Sequence, residues 1–167
     1  ETGGAILEVN AAPGFRMHLA PTEGLPRNVA EPVIDMLFPP GAEIRIPIVA
    51  ITGTNGKTTT TRLMAHIAKT AGYKVGFTTT DGIYIQNIMM QRGDCTGPQS
   101  AEFVLKDPTV DFAVLETARG GILRAGLGFH KCDIGIVTNV AADHLGLKDI
   151  NTLEDMARVK SIVPEAV

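Results

Sequence analysis

Thr52-Gly53-Thr54-Asn55-Gly56-Lys57-Thr58-Thr59 is the stretch on which the reading of this chain turns. An apolar run over residues 46–51 with the composition of a buried strand precedes it, and a helical pattern over residues 58–71 follows. A loop that leaves a strand and enters a helix points several backbone N–H groups at one spot. The helix dipole adds to that field, so an anion binds there. Gly53 and Gly56 let the backbone approach a phosphate without a Cβ in the way. Lys57 can reach the outer phosphate oxygens, and the Thr58 hydroxyl is placed to ligate Mg²⁺.

The general pattern G-x-x-x-x-G-K-[ST] asks for glycine at position 51, where this chain has Ile51. A glycine-rich turn without a ligand is the alternative. The strand before, the helix after and the Lys-Thr pair behind Gly56 favour a phosphate site. The β-branched run at residues 58–61 points the same way, since such residues are merely tolerated at an ordinary helix start.

Working outward, the chain alternates between strands and helices. Within residues 58–71, Leu63, Met64, Ile67, Ala68 and Ala71 are expected inward, with Gly72 as the C-terminal cap. Residues 74–78, 111–116 and 133–138 read as further strands, and residues 83–85 as part of a short hairpin. Helices are expected over residues 99–106, with Ser100 as N-cap, and over residues 152–163, opened by a Thr152/Asp155 capping box and stopped by Pro164. Gly120-Gly121 and Gly126-x-Gly128 read as turns, with no strand leading straight into a helix there. The fold class is therefore α/β, a parallel sheet covered by helices on both faces.

Upstream, residues 5–9 read as a strand and residues 10–14 as a turn. A helix over residues 28–38 would gather Val29, Val33, Met36 and Leu37 on one face and hold Pro32 in its first turn. Pro39-Pro40-Gly41 breaks the chain, which divides it into residues 1–41 and 42–167. The start at Glu1-Thr2-Gly3-Gly4 and the end at Pro164-Glu165-Ala166-Val167 read as those of a piece cut from a larger protein.

Fifteen Lys and Arg against eighteen Asp and Glu leave a net charge of −3, which argues against a general nucleic-acid surface. Cys95 and Cys132 make neither a disulfide framework nor a metal site, so a reducing cytoplasm is expected. No apolar run approaches the ~20 residues needed to cross a bilayer, so no membrane association is expected.

With Ile51 in place of the first glycine, residues 52–59 resemble the ATP-binding loop of the Mur ligase family, which includes folylpolyglutamate synthetases. That resemblance implies an ATP-dependent ligase that phosphorylates a carboxylate and lets an amine attack the acyl phosphate. It implies ATP and Mg²⁺ as cofactors, with Gly53, Thr54, Asn55, Gly56, Lys57, Thr58, Thr59 and Asn139 around the nucleotide. Glu116, at a strand end, stands where the family places a Mg²⁺ ligand beside Thr58. Asp143-His144 stands where it uses the His for a second Mg²⁺. Lys160 matches a lysine that several members carry as a carbamate, so Lys57, His144 and Lys160 are the catalytic candidates. Helical spacing independently puts Lys160 on one face with Leu153, Met156 and Ala157. The alternative is a lysine whose stem packs while its head reaches water. Thr79, Thr80 and Asp81 end a strand at the carboxyl edge of the sheet, where either threonine could touch metal or substrate.

Glu8-Val9-Asn10-Ala11-Ala12-Pro13-Gly14-Phe15 resembles the closing motif of ATP-grasp ligases, in which a Glu and the Asn two positions later ligate Mg²⁺. An ATP-grasp end joined to a Mur-type start resembles the cyanophycin synthetase family. So do the wider segments 5–18 and Glu116-Thr117-Ala118-Arg119-Gly120-Gly121-Ile122-Leu123-Arg124. The resemblance implies a homo-oligomeric parent that polymerises aspartate and attaches arginine to each β-carboxylate. Glu8 and Asn10 would serve the aspartate-adding site; Lys57, Thr58, Glu116 and His144 would serve the arginine-adding one. Its partners would be the two amino acids and the growing polymer.

Arg119 and Arg124 could touch an anionic substrate, and Arg16 could fork onto a carboxylate. His18, His66 and His130 have no ligand-spaced partners and read as structural or exposed, although a substrate role stays open for His18. Two other readings compete. A Mur or folylpolyglutamate ligase with an unrelated N-terminal extension leaves Glu8-x-Asn10-x-x-Pro13-Gly14 unexplained. A P-loop switch or transport ATPase predicts the full loop pattern and an Asp ending the third strand, where this chain has Glu116.

Overall fold

The computed structural model describes residues 3, 4, 6, 8–42, 44–142, 146 and 150–167, and it divides into two compact units, Glu1–Ile44 and Arg45–Val167. The first unit carries two helices, α1 (Arg16–Leu19) and α2 (Ala30–Leu37). Neither helix buries a residue, so the apolar face expected of α2 is present but uncovered within this unit. Just ahead of α2, Asn28 accepts a hydrogen bond from the Glu31 amide at 3.3 Å and donates to its carboxylate at 2.6 Å. Ile6, Glu8 and Val9 carry no strand, contrary to expectation, because no described segment of this unit offers them a backbone ladder.

The second unit is a six-stranded sheet in the order β4-β3-β2-β5-β1-β6. In chain order its elements are β1 (Ile48–Thr52), α3 (Lys57–Thr70), β2 (Val75–Thr79), β3 (Gly82–Ile85) and β4 (Ile88–Arg92). Then come α4 (Pro98–Leu105), β5 (Phe112–Glu116), α5 (Arg119–Ala125), β6 (Ile134–Val137) and α6 (Leu153–Glu165). Strands β2, β5, β1 and β6 run parallel. The short hairpin expected around residues 83–85 forms as β3 and β4, which add on antiparallel to the edge. A two-residue turn at Gln86 and Asn87, with φ of 49° and 72°, makes that hairpin possible.

Helix α3 covers one face over Val49, Ile51, Phe77 and Val114, while α4, α5 and α6 cover the other over Ala50, Ala113 and Leu115. Coverage is complete only in the middle: all of β4 is exposed, and so is Ile134 on β6.

Four helices differ from expectation. Thr61, Ala65 and Ala68 form the buried stripe of α3, whereas Leu63 and Ile67 point outward and Ala71 is exposed. The short Ala65 and Ala68 let the helix lie close to the sheet. Its end is a Schellman motif, Tyr73 N–H to Ala68 O at 3.1 Å and Gly72 N–H to Lys69 O at 3.0 Å, with Gly72 at φ +99°. Helix α4 is capped at Gly97 with Pro98 in its first turn, not at Ser100. Gly120 and Gly121 lie inside α5, which follows β5 after only Thr117 and Ala118, so strand does lead to helix here. A Cβ on Gly121 would stand 3.0 Å from Gly97 Cα, so the glycine is needed for close packing. The capping box of α6 forms as expected, but the helix runs through Pro164 to Glu165.

Candidate nucleotide and metal site

Register brings the site together. In the β1–β5 pairing Glu116 stands beside Ile51, so the end of β5 lies next to the start of the loop after β1. The Thr58 hydroxyl, in the first turn of α3, donates to Glu116 Oε2 at 2.9 Å and lies 3.2 Å from the Thr80 hydroxyl. Glu116 is buried, and its Oε1 has no hydrogen-bond partner among the described residues. Burial pushes its pKa up, while Thr58, the Lys57 ammonium and the Thr80 backbone amide oppose that. A buried carboxylate with an unbonded oxygen beside two hydroxyls fits a hard divalent cation, which takes oxygen ligands.

Lys57 Nζ donates to the carbonyl of Thr54 at 2.9 Å, so the lysine folds over its own loop. Gly56 stands at φ +85°, a left-handed conformation that opens α3. Asn55 and Thr59 are exposed, and Thr54 is half-buried.

The segment after β6 latches this loop. Asn139 accepts from the Asn55 N–H at 3.0 Å and donates to the Asn55 carbonyl at 3.0 Å, and its own carbonyl accepts from the Thr54 N–H at 3.0 Å. The Thr138 hydroxyl donates to the Asn55 carbonyl at 2.7 Å, and the Ala141 N–H reaches the Thr54 hydroxyl at 3.0 Å. The Asn139 side chain is thus spent on the loop backbone. Asp143 and His144 lie outside the described residues.

A cleft of about 450 Å³ opens beside the loop, lined by Thr54, Asn55, Lys57, Asp94, Arg119 and Lys160 among others. Lys160 is only 3 % exposed and forms no ion pair with a described residue. Its pKa is pushed down to about 8, by burial first and then by the charges of Lys57 and Arg119. Its companions on the buried face of α6 are Met156, Val159 and Val163, whereas Leu153 and Ala157 are exposed. The inward placement expected of Lys160 holds, with a different stripe around it.

Thr79 and Asp81 are committed to each other. The buried Thr79 hydroxyl donates to Asp81 Oδ1 at 2.6 Å, and Arg62 and the Tyr84 hydroxyl reach Asp81 Oδ2, each at 2.6 Å. In the first unit, Asn10 Nδ2 donates to Glu8 Oε1 at 3.0 Å, so those two side chains meet although their segment is not a strand. Arg16, His18, His66, Arg124 and His130 are all exposed.

Three features escaped the sequence reading. Asp94, which lines the cleft, adds to the upward push on Glu116, and nothing local marks it. Thr138 packs against Gly53. Helix α5 carries Arg119 to the cleft; Arg119, Ile122 and Leu123 keep helical spacing, but the two glycines masked it.

Among curated proteins, a cyanophycin synthetase of Synechocystis sp. is 68 % identical over all 167 residues, and one of Trichormus variabilis is 64 % identical over the same span. The chain spans 19 % and 18 % of the length of these relatives. A UDP-N-acetylmuramoyl-L-alanyl-D-glutamate–2,6-diaminopimelate ligase of Clostridium botulinum is 37 % identical over 105 residues, 60 % of this chain and 22 % of that protein. A solved ligase of that name superposes with a TM-score of 0.55 at 25 % identity, over 81 % of this chain and 27 % of its own. Escherichia coli FolC, solved with DHPP and ADP, shares the fold with a TM-score of 0.55 at 24 % identity, over 70 % of this chain and 34 % of its own. Residues 51–165, most of the second unit, match the Mur ligase middle domain, and the chain belongs to that family.

Proposed function

We propose that this chain is a segment of an ATP-dependent amide ligase of the cyanophycin synthetase type, and that its second unit holds the ATP used to join arginine to a side-chain carboxylate. The observation that carries this reading is the meeting of Lys57, Thr58 and Glu116 at the carboxyl ends of β1 and β5, with Glu116 Oε1 buried and unbonded among the described residues. The 68 % identity over all 167 residues supports it, because the span includes Glu8 and Asn10 as well as the phosphate loop.

In this reading the amides of residues 53–58 cradle the phosphates, and Lys57 exchanges the Thr54 carbonyl for a phosphate oxygen. Thr58 and Glu116 would hold Mg²⁺, which would supply charge neutralisation so that an anionic carboxylate can approach an anionic phosphoryl group. A carboxylate oxygen forms a bond to the γ-phosphorus as the bond to the ADP oxygen breaks. The arginine amine nitrogen then bonds to the acyl carbon, phosphate leaves with the electrons of the C–O bond, and the amine proton passes to solvent. Asn139 acts by holding Asn55. His144 is assigned the second metal, and Lys160 a carbamate that organises it.

Residues 1–41 are assigned to the end of an ATP-grasp domain, with Glu8 and Asn10 on the Mg²⁺ of a separate, aspartate-adding site, and residues 42–167 to the Mur-type domain. The parent is assigned to the cytoplasm as a homo-oligomer acting on aspartate, arginine and the growing polymer. Among the described residues no helix is long and apolar enough to cross a membrane.

The test uses the full-length enzyme that contains this segment. Lys57→Ala is expected to stop arginine incorporation and spare aspartate addition, and Glu8→Gln to do the reverse. Undiminished arginine incorporation by Lys57→Ala would sink the assignment.

A further inference from the structure

Asp94 is out of place by charge. It lines the cleft beside the phosphate loop with Lys57, Arg119 and Lys160, where the ligands assigned above are anionic. Its own turn does not call for the charge. Asp94 Oδ1 accepts from the Thr96 N–H at 3.2 Å and from the Thr96 hydroxyl at 2.7 Å, and an asparagine oxygen would accept both. The charge even works against a neighbour, since burial first and Asp94 last push the Glu116 pKa up. Asp94 forms no ion pair with a described residue, and its second oxygen takes no hydrogen bond from one.

Two clefts share this carboxylate. The second, of about 340 Å³, lies between the start of α4, with Gln99 and Ser100, and the end of α5, with Arg124. Its walls are held close by glycines: a Cβ on Gly121 would stand 3.0 Å from Gly97 Cα, and one on Gly128 2.5 Å from the Pro98 carbonyl oxygen. Arg124 is tethered at one nitrogen, with Nε donating to the Gly120 carbonyl at 2.9 Å, and the rest of its guanidinium has no partner among the described residues. Asp94 and Arg124 therefore border one cleft with opposite charges that do not pair with each other. Such a cleft fits a ligand that carries both signs.

Two reactants of the ligase reading carry a guanidinium and a carboxylate: the incoming arginine and an acceptor chain that already bears arginine. Geometry separates them. An arginine held through its carboxylate on Arg124 would keep its amine, which sits on the carbon bearing that carboxylate, in the second cleft and away from the loop. A chain end reaches into both clefts. Its reacting carboxylate enters the cleft beside Lys57, while a guanidinium attached one residue back meets Asp94 at the junction. We propose that the cleft between α4 and α5 is the acceptor-chain subsite, where Asp94 pairs with a guanidinium already on that chain and Arg124 forks onto one of its free carboxylates. This deepens the ligase reading and rests on it.

The test measures arginine incorporation by the full-length enzyme on two primers. Both are aspartyl chains ending in a free aspartate, and the residue before it carries either arginine or its neutral isostere citrulline. The wild type is expected to show a KM for the arginyl primer about fivefold below that for the citrullyl one, as suits an exposed ion pair. Asp94→Asn keeps an acceptor for Thr96 and should erase this preference, with the KM for free arginine unmoved. Arg124→Gln should raise the KM of both primers alike. A wild type without the preference, or an Asp94→Asn enzyme that retains it, would overturn the proposal. So would a rise in the KM for free arginine in Asp94→Asn, which would seat the incoming amino acid in this cleft instead. Lys57→Ala separates the two questions. If it stops arginine incorporation while Asp94→Asn keeps the preference, only the subsite falls; if it incorporates arginine normally, the ligase reading itself falls.

Discussion

Gly53 and Thr138 stand face to face: a Cβ added to Gly53 would overlap the Thr138 hydroxyl oxygen, and Gly53 holds a φ of +144° that side chains rarely adopt. The same hydroxyl bonds the Asn55 carbonyl at 2.7 Å, so it cannot swing aside without releasing the loop. Gly53→Ala is therefore expected to lower stability by about 1–3 kcal/mol and to abolish nucleotide binding. Adding Thr138→Ala should restore little, because the backbone strain remains. Thermal unfolding and ADP titration of both variants check this, and a Gly53→Ala protein that binds ADP normally would refute it.

Asn139 offers a gentler perturbation. Removing its side chain deletes two hydrogen bonds to the Asn55 peptide, in an exposed place where water can take over part of their role. Asn139→Ala should weaken ADP binding about tenfold, ~1.4 kcal/mol, with little change in melting temperature. Loss of binding beyond a thousandfold would instead indicate direct contact with the nucleotide.

Glu116 sets function against stability. Burial raises its pKa, so the fold loses stability as pH rises through that value and the carboxylate ionises without a cation. Glu116→Gln should therefore melt higher than the wild type at neutral pH in the absence of metal, by a margin that vanishes in acid where both side chains are neutral. It should also lose Mn²⁺ binding. A variant that melts lower at pH 7 would show that the charge is satisfied after all.

Lys160 has the opposite sign. Its pKa of about 8 lies below the ordinary 10.5, so below pH 8 the fold must bury an ammonium. Stability should rise with pH between those two values, as the native lysine sheds a proton that the unfolded chain keeps. Lys160→Met should be more stable than the wild type at pH 7, on the order of 2–3 kcal/mol in carbonate-free buffer, and lack this rise. Parallel melting curves for the two proteins across pH 7 to 10.5 would contradict the assignment.

Much of this architecture is written in local pattern. Residues 48–70 announce strand, loop and helix because the apolar run, the glycines and the Lys-Thr pair are contiguous. Thr152 and Asp155 announce the start of α6 because a capping box needs only neighbours. Glu116 is legible as the polar end of an apolar strand. Harder to read were faces and partners. Leu63 and Ile67 look like core residues, yet the sheet lies against Ala65 and Ala68, and only the mutual fit of helix and sheet selects the smaller stripe.

By itself, then, the sequence determined the α/β alternation, the phosphate loop and the strand that ends in Glu116, since each follows from the period and composition of a few consecutive residues. Only the tertiary structure decided that β3 and β4 extend the sheet antiparallel, that Asp94 and Arg119 reach the cleft, and that Thr138 and Asn139 clamp Asn55 from 83 and 84 positions away. The reason is physical: those outcomes depend on register and packing between distant segments, and no local spacing records which backbone groups will meet when the sheet closes.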